Sequence, residues 1–158
     1  MSEKVFYITK IKLKELEKEY KDLLELERAK TIGEEAPKIF ESEDLNPEFV
    51  SFQEDIGRLR SRIDEIKNIL EHHELIRIPT DEKAHFVDLG AKVGVDVGGE
   101  KAEFVIVGTL EANPVLGKIS NESPVGKALL GHKIGDEVVV NSQVKTTYKI
   151  KNIKYEIS

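Results

Sequence analysis

The chain has 158 residues, of which 39% are hydrophobic and 34% are charged, a composition typical of one folded domain or two small ones. It contains no cysteine, so disulfides and thiolate metal sites are excluded, and its formal net charge of -6 argues against autonomous binding to nucleic acid. No apolar run approaches the length of a membrane span and the N-terminus lacks a signal-peptide core, so we expect a cytoplasmic protein with no membrane partner.

The first amphipathic segment predicts a helix that weakens toward its C-terminal end. Gly33 and Pro37 both disfavour a helix interior, so we expect the last turns to loosen or kink there. The apolar stripe of this helix consists of Leu13, Leu16, Tyr20, Leu23 and Leu26.

A short acidic segment, residues 34–48, follows this helix and overlaps the stretch FESEDLNPEFVSF, residues 40–52. Residues 34–48 hold six acids and a single base, Lys38, so they carry five units of net negative charge. Carboxylates this close together repel one another. Either a partner or a chemical role explains them, or they form a solvated acidic loop, and charge alone leaves both explanations open.

The second helix has a clear start and a long heptad seam. Asn46 suits the N-cap and Pro47 the first helical position, and Glu48 faces the positive end of the helix dipole, which gives it an adequate structural role. Spacings of three and four then alternate over about 28 residues, roughly 40 Å of helix. The seam residues are Phe49, Phe52, Ile56, Leu59, Ile63, Ile66, Leu70 and His73.

The two helices are predicted to pair as an antiparallel coiled-coil hairpin. Neither apolar stripe can be buried alone, and the sequence offers no third amphipathic helix. This hairpin domain covers residues 1–78 and carries its acidic tip near residues 41–48. The stretch RIPTDEK, Arg77–Lys83, is interpreted as a linker.

Beyond the linker, apolar residues recur at every second position, which predicts a small antiparallel β domain over residues 79–158. Together with the helical hairpin, this domain predicts an α+β fold class. One short helix interrupts the strands, with Ser123 as its N-cap, Pro124 at its first position and Gly131 as its stop. The predicted strands are HFVDL, AKVGVDV, AEFVIVGTL, DEVVVN and TTYKIKNIKYEI.

Several motifs resemble one bacterial family. GKISNESPVGKALLGHKIGDEV, residues 117–138, resembles the C-terminal signature of the bacterial transcript-cleavage factors GreA and GreB, and VDLGAKV and FVIVGTLEANP resemble that family's first strands. The N-terminal YITKIKLKELEKEYKDL is similar to the family's opening, in which a threonine precedes the first helix. NPEF and GRLRSRI resemble the family's Asn-Ala-Glu-Tyr and Gly-Arg-Ile motifs. The resemblance spans nearly the whole chain.

The resemblance implies an antiparallel coiled coil joined to an FKBP-like β domain. It also implies a transcription elongation factor that inserts its hairpin into the secondary channel of bacterial RNA polymerase. There, tip acids would help the polymerase hydrolyse backtracked RNA, so the protein would touch the RNA 3′ end only indirectly. Such a factor is an accessory protein and not an enzyme by itself, and we expect a monomer.

The tip departs from the family pattern Gly-Asp-Leu-Ser-Glu-Asn-Ala-Glu-Tyr, whose aspartate and glutamate form the working pair. Counting back from Asn46 without gaps places Ser42 and Leu45 at those two positions. A two-residue deletion instead matches Asp44 to the aspartate and loses the glutamate. The resemblance therefore implies a substitute set, with Asp44 and Glu43 as ligands of a shared Mg²⁺ or its water and Glu41 in support. Carboxylate oxygens suit this ion, and no cofactor is expected in the free protein.

The same resemblance makes Ser120, Ser123 and Pro124 candidate contacts with the polymerase at the channel rim, although a helix start alone also explains Ser123 and Pro124.

Two alternatives stay open at this point. Because the standard tip pair is absent, the protein could occupy the channel and inhibit or modulate the polymerase without stimulating cleavage. An FKBP-like peptidyl-prolyl isomerase or chaperone is less favoured, since active isomerases line their pocket with aromatic side chains. The β domain offers only Phe86, Phe104, Tyr148 and Tyr155.

Overall fold

The computed structural model describes residues 4–32 and 47–155, and the chain divides into two compact units. The first, which we call the helix unit, comprises residues 13–72. The second, which we call the sheet unit, joins residues 1–12 to residues 73–158. The sheet unit therefore takes residues from both sides of the helix unit in the sequence.

The longer helix of the helix unit is α2, Pro47–Glu71, which begins at the predicted proline. The predicted seam is confirmed from Ile56 to Ile66, and it then passes through Ile69, which is 2% exposed, in place of Leu70. His73 lies beyond the end of the helix. The buried side chains of α2 are Ile56, Leu59, Ile63, Ile66 and Ile69.

The other helix is α1, Lys10–Ile32, whose residues from Leu13 onward belong to the helix unit. Its stripe is confirmed at Leu16, which is buried, and at Tyr20 and Leu23, which pack against the buried α2 cluster of Ile56, Leu59 and Ile63. The prediction for Leu26 is wrong, because this side chain is 44% exposed. The predicted loosening at Gly33 and Pro37 lies outside the described residues.

Ion pairs between the two helices show that they run antiparallel. The Arg62 guanidinium donates two hydrogen bonds to the Glu19 carboxylate, at 2.8 and 3.0 Å, and these bonds raise the pKa of Arg62. Arg60 lies 3.4 Å from Glu27. Glu19, earlier in α1, pairs with Arg62, and Glu27, later in α1, pairs with Arg60, which comes earlier in α2. This opposite order is that of antiparallel helices.

Three short strands in the sheet unit were not predicted from the sequence; one of them, Lys118–Ser120, belongs to the main sheet described below, and the other two pair with each other. Strand β1, Phe6–Ile8, pairs in parallel with β2, His73–Leu75. Ile8 is fully buried, and its carbonyl oxygen accepts a hydrogen bond from the Ile76 N–H at 2.9 Å. The N-terminal residues thus complete a two-stranded sheet with residues that follow α2.

The main sheet has five strands in the order β5-β4-β3-β7-β6. Its pairs are antiparallel except that β5 runs parallel to β4, because the turns over residues 108–117 bring the chain back before β5 begins. The predicted strand HFVDL instead forms a 3₁₀ turn at Lys83–His85 and a single bridge at Phe86. The strands are β3, Ala91–Val97; β4, Glu100–Val107; β5, Lys118–Ser120; β6, Glu137–Asn141; and β7, Lys145–Tyr155.

The short helix α3, Pro124–Leu129, covers the apolar core of the sheet unit. Leu129 is fully buried there, as are Val93 and Val95 on β3 and Ile106 and Ile150 on the neighbouring strands. The alternation read from the sequence places these side chains on one face of the sheet. The two units together confirm the predicted α+β class, a helix pair followed by a small β domain with one short helix.

Candidate functional site

The three acids predicted to act, Glu41, Glu43 and Asp44, lie outside the described residues. The chain on either side of them is described. Thr31 near the end of α1 and Phe49 near the start of α2 line the same cleft, with a volume of about 400 Å³. The three acids belong to the segment of sequence, residues 33–46, that lies between α1 and α2.

The candidate docking residues lie together between β5 and α3, and we call residues 120–124 the docking segment. Ser120 ends β5, Ser123 is the N-cap of α3 and Pro124 is its first residue. The predicted cap is confirmed, since the Ser123 Oγ accepts a hydrogen bond from the Gly126 N–H at 3.1 Å. Pro124 is exposed, so its ring is presented at the surface of the sheet unit.

The two serines are fixed by contacts inside the docking segment. The Ser123 hydroxyl donates to the Ser120 carbonyl oxygen at 2.6 Å while it caps α3. A Cβ at Gly126 would lie 2.1 Å from the same carbonyl oxygen, so a larger residue would push α3 away from Ser120. The turn from β5 into α3 is therefore tight. Its shape depends on Ser123 and on the absence of a side chain at Gly126.

A polar cluster outside the turn holds the Ser120 side chain. The Thr109 Oγ1 donates to Glu122 at 2.8 Å and lies 3.0 Å from the Ser120 Oγ. The Ser120 Oγ accepts a hydrogen bond from the Glu122 N–H at 3.0 Å. The Lys4 ammonium lies 3.8 Å from Glu122, although both side chains are more than half exposed. Such an arrangement can present a preshaped surface to a protein partner.

Sequence reasoning missed Thr109 and Glu122 as partners of the docking segment. Thr109 lies on a 3₁₀ turn, Thr109–Glu111, and reaches a residue eleven positions later. Glu122 lies within the segment itself and had no assigned role. No periodicity or capping pattern marks either residue, because their contacts depend on how β4 and β5 pair in space.

Within residues 4–32 and 47–155, no three histidine or acidic side chains come together in a way that could hold a metal ion. Glu41, Glu43 and Asp44 are not among these residues. In the same part of the chain, no helix combines the length and the apolar character needed to span a bilayer.

Comparisons with known proteins identify similar chains over most of this sequence. A family model described as transcription elongation factor GreA/GreB, C-terminal, matches residues 82–155. Transcription elongation factor GreA of Thermomicrobium roseum is 37% identical over 137 residues, which are 85% of this chain and 87% of that protein. The GreA of Clostridium acetobutylicum is 39% identical over 157 residues, which are 96% of this chain and 98% of that protein.

Among solved structures, the GreA factor homolog 1 of Thermus thermophilus is 24% identical to this chain, covering 96% of this chain and 99% of that one, with a TM-score of 0.42. The docking segment, residues 120–124, lies wholly inside the region that the family model matches.

Proposed function

The chain belongs to the GreA/GreB family of transcription elongation factors, and from this premise we propose that it enters the secondary channel of bacterial RNA polymerase and stimulates cleavage of backtracked RNA. The observation that carries the proposal is similarity to two GreA proteins along nearly the whole chain, 37% and 39% identical. The protein is thus a Gre-type elongation factor, and the proposal concerns how it acts.

The helix unit supplies a stiff arm for this action. Helices α1 and α2 have 23 and 25 residues, so each is about 35 Å long at 1.5 Å per residue. Their buried seam and the ion pairs of Arg62 and Arg60 hold them side by side. Because the two helices cover each other's apolar stripes, we propose that a single copy of the chain acts, bound to the polymerase in the cytoplasm.

The acids in the sequence between α1 and α2 supply the chemistry in this proposal. Glu41, Glu43 and Asp44 offer only carboxylate oxygens, a donor set that fits Mg²⁺, which prefers hard oxygen ligands. Bound Mg²⁺ supplies the Lewis acidity that activates water and stabilises a leaving oxygen in phosphoryl transfer. We propose that Asp44 and Glu43 contact this ion or its water in the complex, with Glu41 in support. The hydrolysis itself belongs to the polymerase, so the protein is an accessory factor.

The docking segment supplies the attachment at the channel rim. Ser120 and Ser123 are fixed by hydrogen bonds to one another, and Pro124 presents an exposed ring beside them. A preshaped turn binds with little loss of conformational freedom, which favours specific docking by a small surface. We propose that these three residues contact the polymerase.

A cleavage assay on a halted, backtracked elongation complex tests the proposal. Adding the protein with Mg²⁺ should shorten the RNA by a few nucleotides from its 3′ end. The double variant Glu43→Gln/Asp44→Asn should cleave about 10- to 100-fold more slowly, the range for groups that support a metal-held water. It should still compete with the wild-type protein for the polymerase.

Glu54→Gln is the matched control, because it removes an exposed carboxylate from α2 away from the acidic segment. It should cleave at the wild-type rate. If the double variant instead loses polymerase binding and cleaves normally once bound, the ligand role of Asp44 and Glu43 is wrong.

A channel-occupying inhibitor is the second candidate function, and one observation favours it. On the gapless alignment, Ser42 and Leu45 occupy the positions of the family's working aspartate and glutamate. In that case the wild-type protein would leave the RNA uncut and slow nucleotide addition. The same assay, followed with added nucleotides, separates the two functions.

A further inference from the structure

The main sheet has one apolar face, which packs in the core of the sheet unit, and one charged face, which we call the outer face. Side chains alternate between the two faces of a strand, and residues opposite one another on neighbouring strands share a face. On β3, Val93 and Val95 are buried in the core. Lys92, Gly94 and Asp96 alternate with them and therefore belong to the outer face.

The strand register extends the outer face from β3 across the other four strands. Each outer-face residue of β3 has one partner on β4 and one on β7, and some of these have partners on β5 and β6. Three rows of residues therefore cross the sheet, and lysines occur in two of them. The rows are Lys154, Lys92, Val105 and Lys118; Asn152, Gly94 and Glu103; and Glu137, Lys149, Asp96 and Lys101.

A β-bulge adds another lysine to the outer face. The register shifts between Gly94 and Val95, so Lys151 on β7 has no partner on β3. Lys151 lines one cleft of about 590 Å³ together with Gly94, Lys101 and Asn152, which places it on the outer face. The Asn152 Oδ1 accepts a hydrogen bond from the Gly94 N–H at 3.0 Å, and a Cβ at Gly94 would collide with that oxygen. The amide group of Asn152 therefore keeps its N–H₂ as a donor for a ligand in this cleft.

Positive charge is in excess on the outer face, and little of it is neutralised within the protein. Lys92 lies 3.3 Å from Glu103. In the part of the chain that the structure describes, none of the other outer-face lysines forms an ion pair. Asp96 accepts a hydrogen bond from the Gly99 N–H at 2.9 Å, so this carboxylate is already occupied. The described outer face holds seven lysines, Lys92, Lys101, Lys118, Lys145, Lys149, Lys151 and Lys154, and three acids, Asp96, Glu103 and Glu137.

The net charge of the whole chain conceals this surface. The formal net charge is -6, and residues 34–48 alone carry five units of it. That segment belongs to the helix unit, residues 13–72, whereas the outer face belongs to the sheet unit. A polyanion responds to the charges of the surface that it touches. The expectation drawn from the total charge therefore does not extend to the outer face.

We propose that the outer face of the main sheet is a docking surface for duplex DNA, which it contacts through the phosphate backbone without reading the base sequence. Lysine ammonium groups and the Asn152 N–H₂ are donors suited to phosphate oxygens. The face extends about 20 Å across five strands and about 30 Å along β7. Duplex DNA carries one negative charge per about 1.7 Å of its axis, so several lysines can meet phosphates of one duplex. This surface goes beyond the proposed function and needs no polymerase.

The composition of the outer face favours a duplex over a single strand or a protein. Proteins bind single strands by stacking the bases on aromatic side chains. None of the described outer-face residues is aromatic, because Phe104, Tyr148 and Tyr155 pack against the core on the opposite face. Protein interfaces likewise depend on a central apolar or aromatic patch. A surface with lysines and without such a patch fits the charged backbone of a duplex.

Fluorescence anisotropy of a labelled duplex of mixed sequence, titrated with the full chain, tests the inference. The wild type should bind at low salt, and the logarithm of its binding constant should fall with the logarithm of salt concentration with a slope of about -3 to -4, as expected for about four phosphate contacts. The triple variant Lys101→Gln/Lys149→Gln/Lys151→Gln should bind about tenfold or more weakly and reduce the slope by about two to three.

The triple variant Lys83→Gln/Lys127→Gln/Lys133→Gln is the matched control. It removes three exposed lysines of the sheet unit that lie outside the outer face, so it changes the net charge of the chain by the same amount. It should bind the duplex within about twofold of the wild type, since salt screens charges away from the contact. Circular dichroism should show that both triple variants keep the wild-type fold, because every replaced side chain is exposed.

Several results would overturn the inference. Equal losses of duplex binding in the two triple variants would do so, as would a wild type that leaves the duplex unbound at low salt. A labelled single strand of the same sequence and a labelled polyglutamate peptide are titrated in parallel. Tighter binding of the single strand, or binding of the peptide without the duplex, would replace duplex DNA by another polyanion as the ligand. Because the assay contains no polymerase, none of these outcomes bears on the proposed function, and a failure of RNA cleavage leaves this surface unaffected.

Discussion

Several carboxylates in the sheet unit act as acceptors for backbone N–H groups. Glu111 accepts a hydrogen bond from the Thr9 N–H at 3.0 Å. Asp96 accepts one from the Gly99 N–H at 2.9 Å, and Asp136 accepts one from the Lys133 N–H at 3.1 Å. An ionised carboxylate is a stronger acceptor than a protonated one. Each of these carboxylates therefore helps to hold the turn that carries its N–H donor.

Asp136 gives the clearest pH prediction at the scale of single residues. The hydrogen bond from the Lys133 N–H, together with the nearby His132 ring at 3.2 Å, holds the pKa of Asp136 below its ordinary value of 3.8. Because the folded value is the lower one, the stabilisation is fully present above pH 3.8 and is lost as the pH falls through the folded value. Urea midpoints measured from neutral pH down to the acid range should show this loss.

The variant Asp136→Asn serves as the reference for that measurement. It should be less stable than the wild type at neutral pH, because an amide oxygen is a weaker acceptor. The two curves should converge in the acid range, where the wild-type carboxyl is protonated as well. Curves that stay parallel throughout would mean that Asp136 does not contribute through its charge.

At the scale of elements, local signals predicted the start of α2 and the cap of α3. Pro47 marks the first residue of α2, and Ser123 and Pro124 mark the start of α3, because capping chemistry depends only on neighbouring residues. Alternation likewise predicted β3 as Ala91–Val97, since one face of that strand is buried.

The elements that sequence reasoning missed depend on contacts between distant residues. Strands β1 and β2 have three residues each, and Phe6 pairs with His73, so neither shows a period or a joining turn. The error at Leu26 has another cause. Spacings of three and four alternate through Leu13, Leu16, Tyr20 and Leu23, and the next step of four reaches position 27. The seam therefore passes through Glu27, and Leu26 lies beside it and is exposed.

The corrected seam predicts unequal effects for two leucine-sized side chains of the helix unit. Ile63→Ala removes a side chain that is 7% exposed and packed in the α1–α2 cluster, so it should lower the free energy of unfolding by about 2–5 kcal/mol. Leu26→Ala removes one that is 44% exposed and should cost about 0.5 kcal/mol or less. Urea unfolding followed by circular dichroism measures both. Equal losses would mean that the seam runs through Leu26 after all.

At the scale of the whole molecule, the sheet unit is assembled from two separated parts of the chain. Residues 1–12 join residues 73–158, and the Thr9–Glu111 contacts span 102 positions. This is why the sequence predicts only part of the hydrogen-bonded cluster around residues 120–124. Ser123 and Pro124 carry a local signal, whereas the contacts of Thr109 with Ser120 and Glu122 form only when β4 and β5 come together.

The stability of the sheet unit should therefore depend on its N-terminal strand. Ile8 is fully buried and its carbonyl oxygen bonds the Ile76 N–H, so Ile8→Ala should cost about 2–5 kcal/mol and speed amide exchange at Ile76. Val5→Ala, in the same segment but 39% exposed, is the control and should change little. Amide hydrogen exchange in the intact chain measures both variants. Unchanged protection at Ile76 in Ile8→Ala would show that residues 73–158 hold their fold without β1, and the N-terminal residues would then be attached to the sheet unit without stabilising it.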